Sequence, residues 1–341
     1  MINSQSPVRK IVINLLLLLI PIILCVAALS IGRYRITTQD VMRVLISPIF
    51  TDSAADVTEI AKRLILNIRL PRVLAALLIG ASFGTTGTAF QAIFKNPLVD
   101  SNILGVTSGA GFGAALALLL LFNLWQVQGL AFIFGLLAVF LSFLGSRLYK
   151  TAPILVLTLM GILVGTLFSS LTSLLKYIAD PLDTLPAITF WLLGSLASVT
   201  WARIALLAII TVLGVIFFIL MRWQLNILSL GDKEAISLGV DPVKMKSFII
   251  VVATLMTASA VSTSGVIGWV GLVIPHLGRL LVGPNHRRLL PISISLGGSL
   301  MIILDTIARA LLPGEIPLGV LTGIIGVPLL ILLLRRSRTG W

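Results

Sequence analysis

Long uncharged, apolar stretches recur along this chain and are separated by short polar segments. The first extends from Ile11 to Ile31 without a charged residue, and about 20 apolar residues are enough to cross a bilayer as an α-helix. Hydrophobic residues make up 58% of the 341 residues and charged residues 11%, whereas a soluble domain carries about 25% charge. One soluble core could not bury this much apolar surface. The sequence therefore predicts an all-α polytopic membrane protein.

The apolar stretches predict about ten transmembrane helices in a single transmembrane domain that covers residues 1–341. The predicted spans are residues 11–31, 64–94, 114–122 with the segment before them, 130–148, 153–175, 204–221, 248–259, 266–274, 289–312 and 318–334. A turn at 262–265 precedes the eighth span, which Pro275 and His276 are expected to end. The segment from Phe190 to Trp201 is apolar but short, which predicts a re-entrant or interfacial helix.

Basic residues indicate how these helices are oriented. More than half of the 25 lysines and arginines fall in segments that this assignment places on the cytoplasmic side, in the direction of the positive-inside rule. Both termini are therefore predicted to be cytoplasmic. The first apolar stretch is longer than the 7–15 residues, roughly, of a signal-peptide core, so it is predicted to be a membrane helix. The net charge of +13 does not predict nucleic-acid binding, because no basic stripe with interleaved aromatic residues occurs.

The sequence shows no sign of an active site, a metal site or a cofactor site. Cys25 is the single cysteine, and His276 and His286 lack carboxylate or cysteine companions at ligand spacing. No P-loop, GxSxG, HExxH or GxGxxG pattern occurs. We therefore expect a protein that is not an enzyme and that uses no metal or cofactor.

A polar segment, Leu228 to Lys246, lies between two long apolar stretches. Asp232 is a suitable N-cap for a short helix, and Gly239 suits the C′ position after it. Ala235 and Leu238, three residues apart, would share one face of that helix. Two short helices in series predict a docking surface, and an ordinary hydrophilic loop remains an equal alternative.

Small and helix-breaking residues mark two further segments. Gly80, Gly84 and Gly87 lie about one helical turn apart in the second span, a pattern that lets membrane helices approach closely. Residues 95–113 contain Pro97 and Asp100 and then a glycine at every fourth position. An irregular polar backbone at membrane depth is tolerated where it lines a water-filled cavity. This segment is either part of a pathway or a cytoplasmic turn followed by a tightly packed helix.

Several short motifs occur in order along nearly the whole chain. They are Arg69-Leu-Pro-Arg72, Asn96-Pro-Leu98, Leu104 to Gly111, Trp191 with Gly194-Ser-Leu196 and Trp201, Leu230 to Gly239, Gly265 to Arg279, Asp305 to Arg309, and Glu315 to Gly319. Together they resemble the FecCD-type permeases of ABC importers for ferric siderophores, haem and cobalamin. The resemblance implies a type II ABC importer permease fold in the cytoplasmic (inner) membrane of a bacterium or archaeon.

The resemblance also implies partners and cargo. The chain is expected to form a homodimer that works with two cytoplasmic ABC ATPase subunits and an extracytoplasmic substrate-binding protein. Import would be driven by ATP hydrolysis on the ATPase. The expected cargo is a bulky metal chelate, a ferric siderophore first, with haem, cobalamin and oxyanions left open.

Three sets of residues take roles from the same resemblance. Coupling to the ATPase is expected at Leu230, Gly231, Asp232, Ala235, Leu238 and Gly239, with the Ala235–Leu238 face packed into the ATPase. The cytoplasmic gate between the two copies is expected at Asn96, Leu98, Ile154 and Leu155. Docking of the binding protein is expected at Arg69, Arg72 and Arg309.

Alternatives remain for these assignments. The three arginines could instead anchor helices at the lipid headgroups, and Asp305 and Arg309, four residues apart, could form a local ion pair. The alternative function is an ion-coupled secondary transporter or channel. Such proteins carry ionisable residues near the middle of their spans, and the predicted spans of this chain are nearly free of them.

Overall fold

The computed structural model describes residues 7–48, 50, 56–148, 154–312 and 314–336, and within these ranges it contains helices and no β-strand. The helices are α1 (Pro7–Ser30), α2 (Thr38–Ile46), α3 (Glu59–Arg63), α4 (Leu70–Phe94), α5 (Val106–Leu119), α6 (Leu124–Ser146), α7 (Ile154–Ile178), α8 (Thr184–Leu193), α9 (Trp201–Leu220), α10 (Arg222–Leu230), α11 (Asp232–Ser237), α12 (Pro242–Ser264), α13 (Val270–Val282), α14 (His286–Ala310) and α15 (Leu318–Arg336). A π-helical stretch, Leu64–Arg69, joins α3 to α4. The predicted all-α class is confirmed.

Length and composition identify the membrane-crossing helices. In the described part of the chain, six helices are long and apolar enough to cross a bilayer: Glu59–Phe94, Leu124–Ser146, Ile154–Ile178, Trp201–Leu220, Pro242–Ser264 and His286–Ala310. Shorter apolar helices occupy Leu19–Ser30, Val106–Leu119, Thr184–Leu193, Val270–Val282 and Leu318–Leu333. The number of ten crossings stays a prediction. The end residues 1–6 and 337–341, on which the orientation of the termini was predicted, lie outside the described ranges.

Helix α4 forms the centre of the fold and packs against α9, α12, α13 and α14. Its glycines bring it into backbone contact with two of these neighbours. A Cβ atom on Gly84 would overlap the carbonyl oxygen of Ser293 in α14, and one on Gly87 would overlap that of Gly271 in α13. Because lipid chains are as apolar as the helices, such close van der Waals packing, rather than hydrophobic burial, holds membrane helices together. The predicted close approach at these glycines is confirmed.

Three predicted boundaries in the second half of the chain are wrong. Helix α12 continues to Ser264, so the predicted turn at 262–265 is reduced to its last residue, Gly265, at φ 72°. Helix α13 begins only at Val270 and runs through Pro275 to Val282. Proline removes the hydrogen bond to the carbonyl four residues earlier, which here belongs to Gly271. That carbonyl lies against Gly87 of α4 instead.

The segment from Phe190 to Trp201 is also not one helix. It comprises the end of α8, a turn that starts at Gly194 with φ 76°, and the first residue of α9. The turn is held from two sides, because Ser195 N–H donates to the Ser264 carbonyl and Leu318 N–H donates to the Gly194 carbonyl. Tertiary hydrogen bonds therefore set this break, which the apolar pattern does not mark.

Candidate functional site

The polar segment 228–246 contains one short helix, α11, as predicted, whereas the second predicted short helix is the start of the 23-residue α12. The end of α11 is closed by two hydrogen bonds, from Gly239 N–H to the Ile236 carbonyl and from Val240 N–H to the Ala235 carbonyl, with Gly239 at φ 78°. This arrangement is the Schellman motif, in which glycine supplies the left-handed C′ residue. The predicted position of Gly239 is confirmed.

The predicted N-cap of α11 is wrong by one residue. The helix begins at Asp232 itself, and Gly231 is the N-cap. The Asp232 carboxylate instead accepts two hydrogen bonds from Lys246 Nζ, at 2.6 and 2.7 Å, and so links α11 to α12. Asp241 is the N-cap of α12 and accepts from the N–H groups of Lys244 and Val243. These hydrogen bonds, that of Lys244 first, hold the pKa of Asp241 below its usual range.

Exposure corrects the predicted ATPase-binding face. Ala235 is 0% exposed and packs in a core cluster with Leu225, Leu228 and Val240, so a partner cannot reach it. The side chains that are exposed are apolar: Leu230 (65%), Ile236 (65%), Leu238 (52%) and Val243 (74%). We call these four residues the coupling patch. Several large apolar side chains exposed on one short polar segment are typical of a protein interaction site.

The predicted gate residues lie at the end of α4 and the start of α7. Helix α4 ends where Lys95 adopts a left-handed conformation at φ 50°, and the Asn96 side chain then accepts a hydrogen bond from Leu98 N–H at 2.9 Å. Leu98 and Leu155 are exposed, by 53% and 64%, and Ile154 is half-buried against the core. The segment after α4 and the start of α7 thus each expose an apolar side chain that a second copy could contact. The gate itself stays a prediction.

The predicted docking arginines are not on the surface. Arg69, Arg72 and Arg309 are only 6%, 6% and 8% exposed. Arg69 donates to the carbonyls of Leu29 at 2.6 Å and Ser30 at 3.1 Å, and Arg309 donates to that of Ala28. These carbonyls belong to the last turn of α1, where four carbonyl groups lack an intrahelical donor and a cation is favoured. Both arginines therefore close the end of α1.

Arg72 is engaged from two sides. Its Nε donates to Asp305 at 2.8 Å and its Nη1 to Glu315 at 2.7 Å, and Asp305 also lies 3.7 Å from Arg309 Nε. The local Asp305–Arg309 pair considered as an alternative is present, but Arg72 of α4 is the closer partner. The network ties α4, α14 and the segment before α15 together. The charges of the three arginines are used inside the chain, so their burial does not support the docking role, which stays a prediction.

Helix α7 carries a polar strip that the sequence analysis did not identify. Thr166, Ser169, Ser173 and Lys176 follow one another at intervals of three, four and three residues, which places them on one helix face. Thr166, Ser169 and Ser173 are exposed and Lys176 is half-buried. Toward the start of α7 the same face carries the exposed apolar residues Leu155 and Ile162. The signal was present in the sequence as hydroxyl residues with helical periodicity inside an apolar span.

A cavity of about 340 Å³ lies beside the polar strip. It is lined by residues of α5, α7 and α8 and by the segment after α12, namely Thr107, Ser108, Gly111, Ser169, Thr172, Ser173, Lys176, Leu192 and Val266. We call it the hydroxyl cavity. Its α5 wall belongs to the segment 95–113 that was considered as a pathway, so the structure brings that segment to a polar cavity between apolar helices.

Comparison with known proteins agrees along the whole chain. A model of the FecCD transport family matches residues 17–336. The molybdate import system permease protein MolB of Haemophilus influenzae is 39% identical over 331 residues, 97% of each chain. The "Probable iron chelatin transport system permease protein" of Helicobacter pylori is 39% identical over 275 residues, 81% of this chain and 83% of the relative.

A solved structure gives the same result for the fold. It is presented as an inward-facing conformation of an ABC transporter assigned to the metal-chelate type, and it matches with a TM-score of 0.85 at 38% identity over 95% of this chain and 99% of that one. The sequence motifs, the family model, the relatives and the solved structure thus agree over nearly the full length. The chain belongs to the FecCD transport family.

Proposed function

We propose that this chain is the membrane-spanning permease subunit of an ATP-driven importer, and that two copies enclose the translocation pathway. The observation that carries the proposal is the polar strip of α7. Thr166, Ser169 and Ser173 are exposed within a helix that is otherwise apolar enough to cross a bilayer. Polar groups inside a membrane favour the protein interior or a water-filled cavity over lipid. A second copy facing α7 would supply that cavity.

The two ends of this α7 face suit different parts of a pathway. The end that the predicted topology places outside carries hydroxyl groups and Lys176, which suit a hydrated entrance. The end placed inside carries Leu155 and Ile162, whose apolar side chains suit a constriction that water does not fill. Leu98, exposed at the end of α4, is the second gate residue of the proposal. The chain would thus close on the cytoplasmic side.

The coupling patch is proposed to be the surface through which a cytoplasmic ATPase subunit drives transport. Leu230, Ile236, Leu238 and Val243 expose large apolar surfaces at the end of α10, on and just after α11, and in the first turn of α12. Binding of a cytoplasmic ATPase subunit would cover them. The Asp232–Lys246 link and the Schellman end of α11 make the patch a rigid unit, so a movement of the ATPase would pass to α12. ATP binding on the partner would bias the equilibrium between two states of the pathway.

The outer partner is proposed to be a substrate-binding protein, and the location to be the cytoplasmic membrane with both termini inside. Because Arg69, Arg72 and Arg309 are buried, docking is proposed to involve exposed cations of the outer segment such as Arg35 and Arg63. Exposed ion pairs contribute only about 0–1 kcal/mol each, so they would set orientation and encounter rate rather than tight binding.

The cargo is proposed to be a metal-containing solute. Ferric siderophore was the first expectation from the sequence. The relatives are named for molybdate and for iron chelatin, so one oxyanion and one chelate both have a counterpart among them. The ion-coupled alternative is not favoured, because the family match is to permeases of ABC systems.

The proposal is tested by reconstituting the chain, with the ATPase that copurifies with it and its binding protein, in proteoliposomes. We expect solute accumulation that requires ATP and persists when ionophores collapse ion gradients. Accumulation that follows an ion gradient without ATP would overturn the proposal in favour of an ion-coupled transporter.

The dimer is tested separately by crosslinking. In a Cys25→Ser background, Leu155→Cys should form a disulfide between copies when the cytoplasmic gate is closed. The matched control is Leu167→Cys, because Leu167 is 52% exposed on a different face of α7 and should face lipid. Equal crosslinking at both positions, or none at position 155 in any nucleotide state, would place the gate elsewhere.

A further inference from the structure

The short turn between α13 and α14, residues 283–285, is connected both to the coupling patch and to the predicted gate. Helix α10, which ends at Leu230 of the patch, is bonded to this turn through Asn226. Helix α13, which leads into the turn, is bonded through Gln91 to the segment of gate residue Leu98. We propose that Asn226 and Gln91 are positioning residues that couple the ATPase-binding surface to the gate through this turn. The proposal deepens the import function and rests on it.

The Asn226 side chain holds α10 against the start of α14. Its Oδ1 accepts from the backbone N–H of His286 at 2.8 Å and lies 2.9 Å from Nδ1 of the same residue. Because that oxygen accepts, the His286 ring donates from Nδ1. The Asn226 Nδ2 group donates to Asn285 Oδ1 at 3.1 Å. The first N–H groups of a helix lack intrahelical acceptors, so a side chain of α10 supplies one of the acceptors that α14 needs.

Apolar packing supports the same contact. Helix α10 packs against α4 and α14, and one core cluster includes Leu225 of α10, Ala235 of α11 and Leu290 of α14. Val99, the residue after Leu98, belongs to that cluster as well. A close-packed interior transmits a displacement, but apolar contact has no preferred direction. The hydrogen bonds of Asn226 therefore fix how α10 is oriented on α14.

Gln91 makes the corresponding connection at the gate. It lies on α4 and is only 5% exposed. Its Oε1 accepts from Arg279 of α13, and its Nε2 donates to the carbonyls of Val99 at 3.2 Å and Leu272 at 3.4 Å. One buried amide thus joins α13 at two points to the backbone that carries Leu98. A shift of α13 relative to α4 would have to move this backbone or break the bonds.

The turn itself allows little independent movement of the two helices. Gly283 N–H donates to the Arg279 carbonyl at 2.8 Å, and Gly283 adopts φ 81°. Pro284 follows with a φ fixed by its ring, and Asn285 then caps α14 by accepting from Arg287 N–H at 3.0 Å. Only three residues separate α13 from α14. A displacement of α10 would therefore pass through α14 and α13 to Gln91 and the gate.

The connection is tested by the response of the gate to nucleotide. The chain with Cys25→Ser and Leu98→Cys, in complex with its ATPase in lipid nanodiscs, is labelled with N-ethylmaleimide, once without nucleotide and once with ATP and vanadate. We expect nucleotide to change the labelling rate, and Asn226→Leu to reduce that change about fivefold or more, the lower end of typical allosteric coupling. ATP hydrolysis should continue, because the coupling patch is intact. The control Ser229→Ala removes a hydroxyl of α10 that donates only within its helix.

The two positioning residues act in series in this account. Gln91→Leu should therefore reduce the response as Asn226→Leu does, and the double variant should be no worse than either single one. Independent sites would give effects that multiply, and such a result would overturn the proposal. Thr88→Val is the control for Gln91, since the buried Thr88 hydroxyl donates to the Gly84 carbonyl of its own helix.

A conservative pair of variants separates positioning from stability. Asn226→Asp keeps the oxygen that His286 bonds and should keep most of the response. Asn226→Ser, whose side chain is too short to reach both Asn285 and His286, should lose it, and it replaces Asn226→Leu if that variant does not fold. An unchanged response in folded Asn226→Ser would overturn the proposal.

The import function is judged by a different result. If the Leu98→Cys chain showed no nucleotide response in a preparation that accumulates solute with ATP, the connection would be wrong and the import function would stand. If accumulation did not require ATP, the import function itself would be contradicted.

Discussion

The predicted outer end of α4 and the predicted cytoplasmic segment around α11 use charged and apolar residues in opposite ways. At the outer end, Arg69, Arg72, Asp305 and Arg309 are buried and bonded to one another or to the end of α1. In the cytoplasmic segment, Ile236 and the rest of the coupling patch are apolar and exposed. Charge serves internal packing in the first region, and apolar surface is left exposed in the second. Residue type alone thus does not distinguish structure from function in this chain.

The largest effect is expected from the buried charges. Asp305→Asn would leave Arg72 and Arg309 buried without their shared carboxylate, and removal of one partner of a buried pair costs about 3–5 kcal/mol. We expect a lower yield of folded protein and a clearly reduced Tm in detergent. Glu59→Gln is the control, since Glu59 pairs with Lys62 while largely exposed. Equal Tm values for the two variants would show that the outer network is not structural.

A smaller loss of stability is expected at the end of α1. Arg69→Gln removes the cation that donates to the Leu29 and Ser30 carbonyls, and hydrogen bonds to charged groups contribute about 1.5–3 kcal/mol. Arg63→Gln is the control for Tm alone, because Arg63 is exposed nearby and is itself one of the proposed docking residues. Measurement of Tm checks stability, and the docking rate of the binding protein checks function. If Arg69→Gln kept its Tm but slowed docking, the buried-arginine account would be wrong.

Substitutions at two adjacent residues of α11 are expected to affect either folding stability or ATPase binding, but not both. Ile236→Asp should keep the Tm, because Ile236 is 65% exposed, but should weaken ATPase binding by about tenfold, a change of about 1.4 kcal/mol. Ala235→Asp should lower the Tm instead, since it places a charge in a core cluster. Thermal unfolding and ATPase pull-down on both variants check this. Similar behaviour of the two would break the distinction between the buried and the exposed face of α11.

The smallest effect is expected at the link between α11 and α12. Lys246→Gln removes the ion pair with Asp232, in which the Lys246 side chain is 12% and the Asp232 side chain 54% exposed. Because one partner is open to solvent, we expect a contribution near that of surface pairs, about 0–1 kcal/mol. We expect an unchanged Tm within error, together with weaker stimulation of transport by ATP because the coupling patch is held less rigidly. A decrease in Tm as large as that of Asp305→Asn would show that charged residues stabilise the fold in this segment as they do at the end of α4.

Local sequence signals predicted the parts of this protein that depend on neighbouring residues. The length of the apolar stretches predicted an all-helical membrane protein. Gly239 predicted the end of α11, and the glycines of α4 predicted its close contacts with other helices. Each of these depends on a backbone preference or on the chemistry of one helix, which the sequence carries directly. The polar strip of α7 belongs to the same kind, because its three-and-four spacing is readable without a structure.

The tertiary structure alone decided which side chains are available. Arg69 and Ala235 were expected at contact surfaces, and both are buried. Arg69 lies against the end of α1, and Ala235 belongs to a core cluster that includes Phe90 of α4 and Leu290 of α14. Helix α13 likewise continues through Pro275 where the Gly271 carbonyl lies against Gly87 of α4. Burial and long-range hydrogen bonds arise from contacts between residues far apart in the chain. Spacing along the sequence does not encode those contacts, and they therefore had to be seen in the fold.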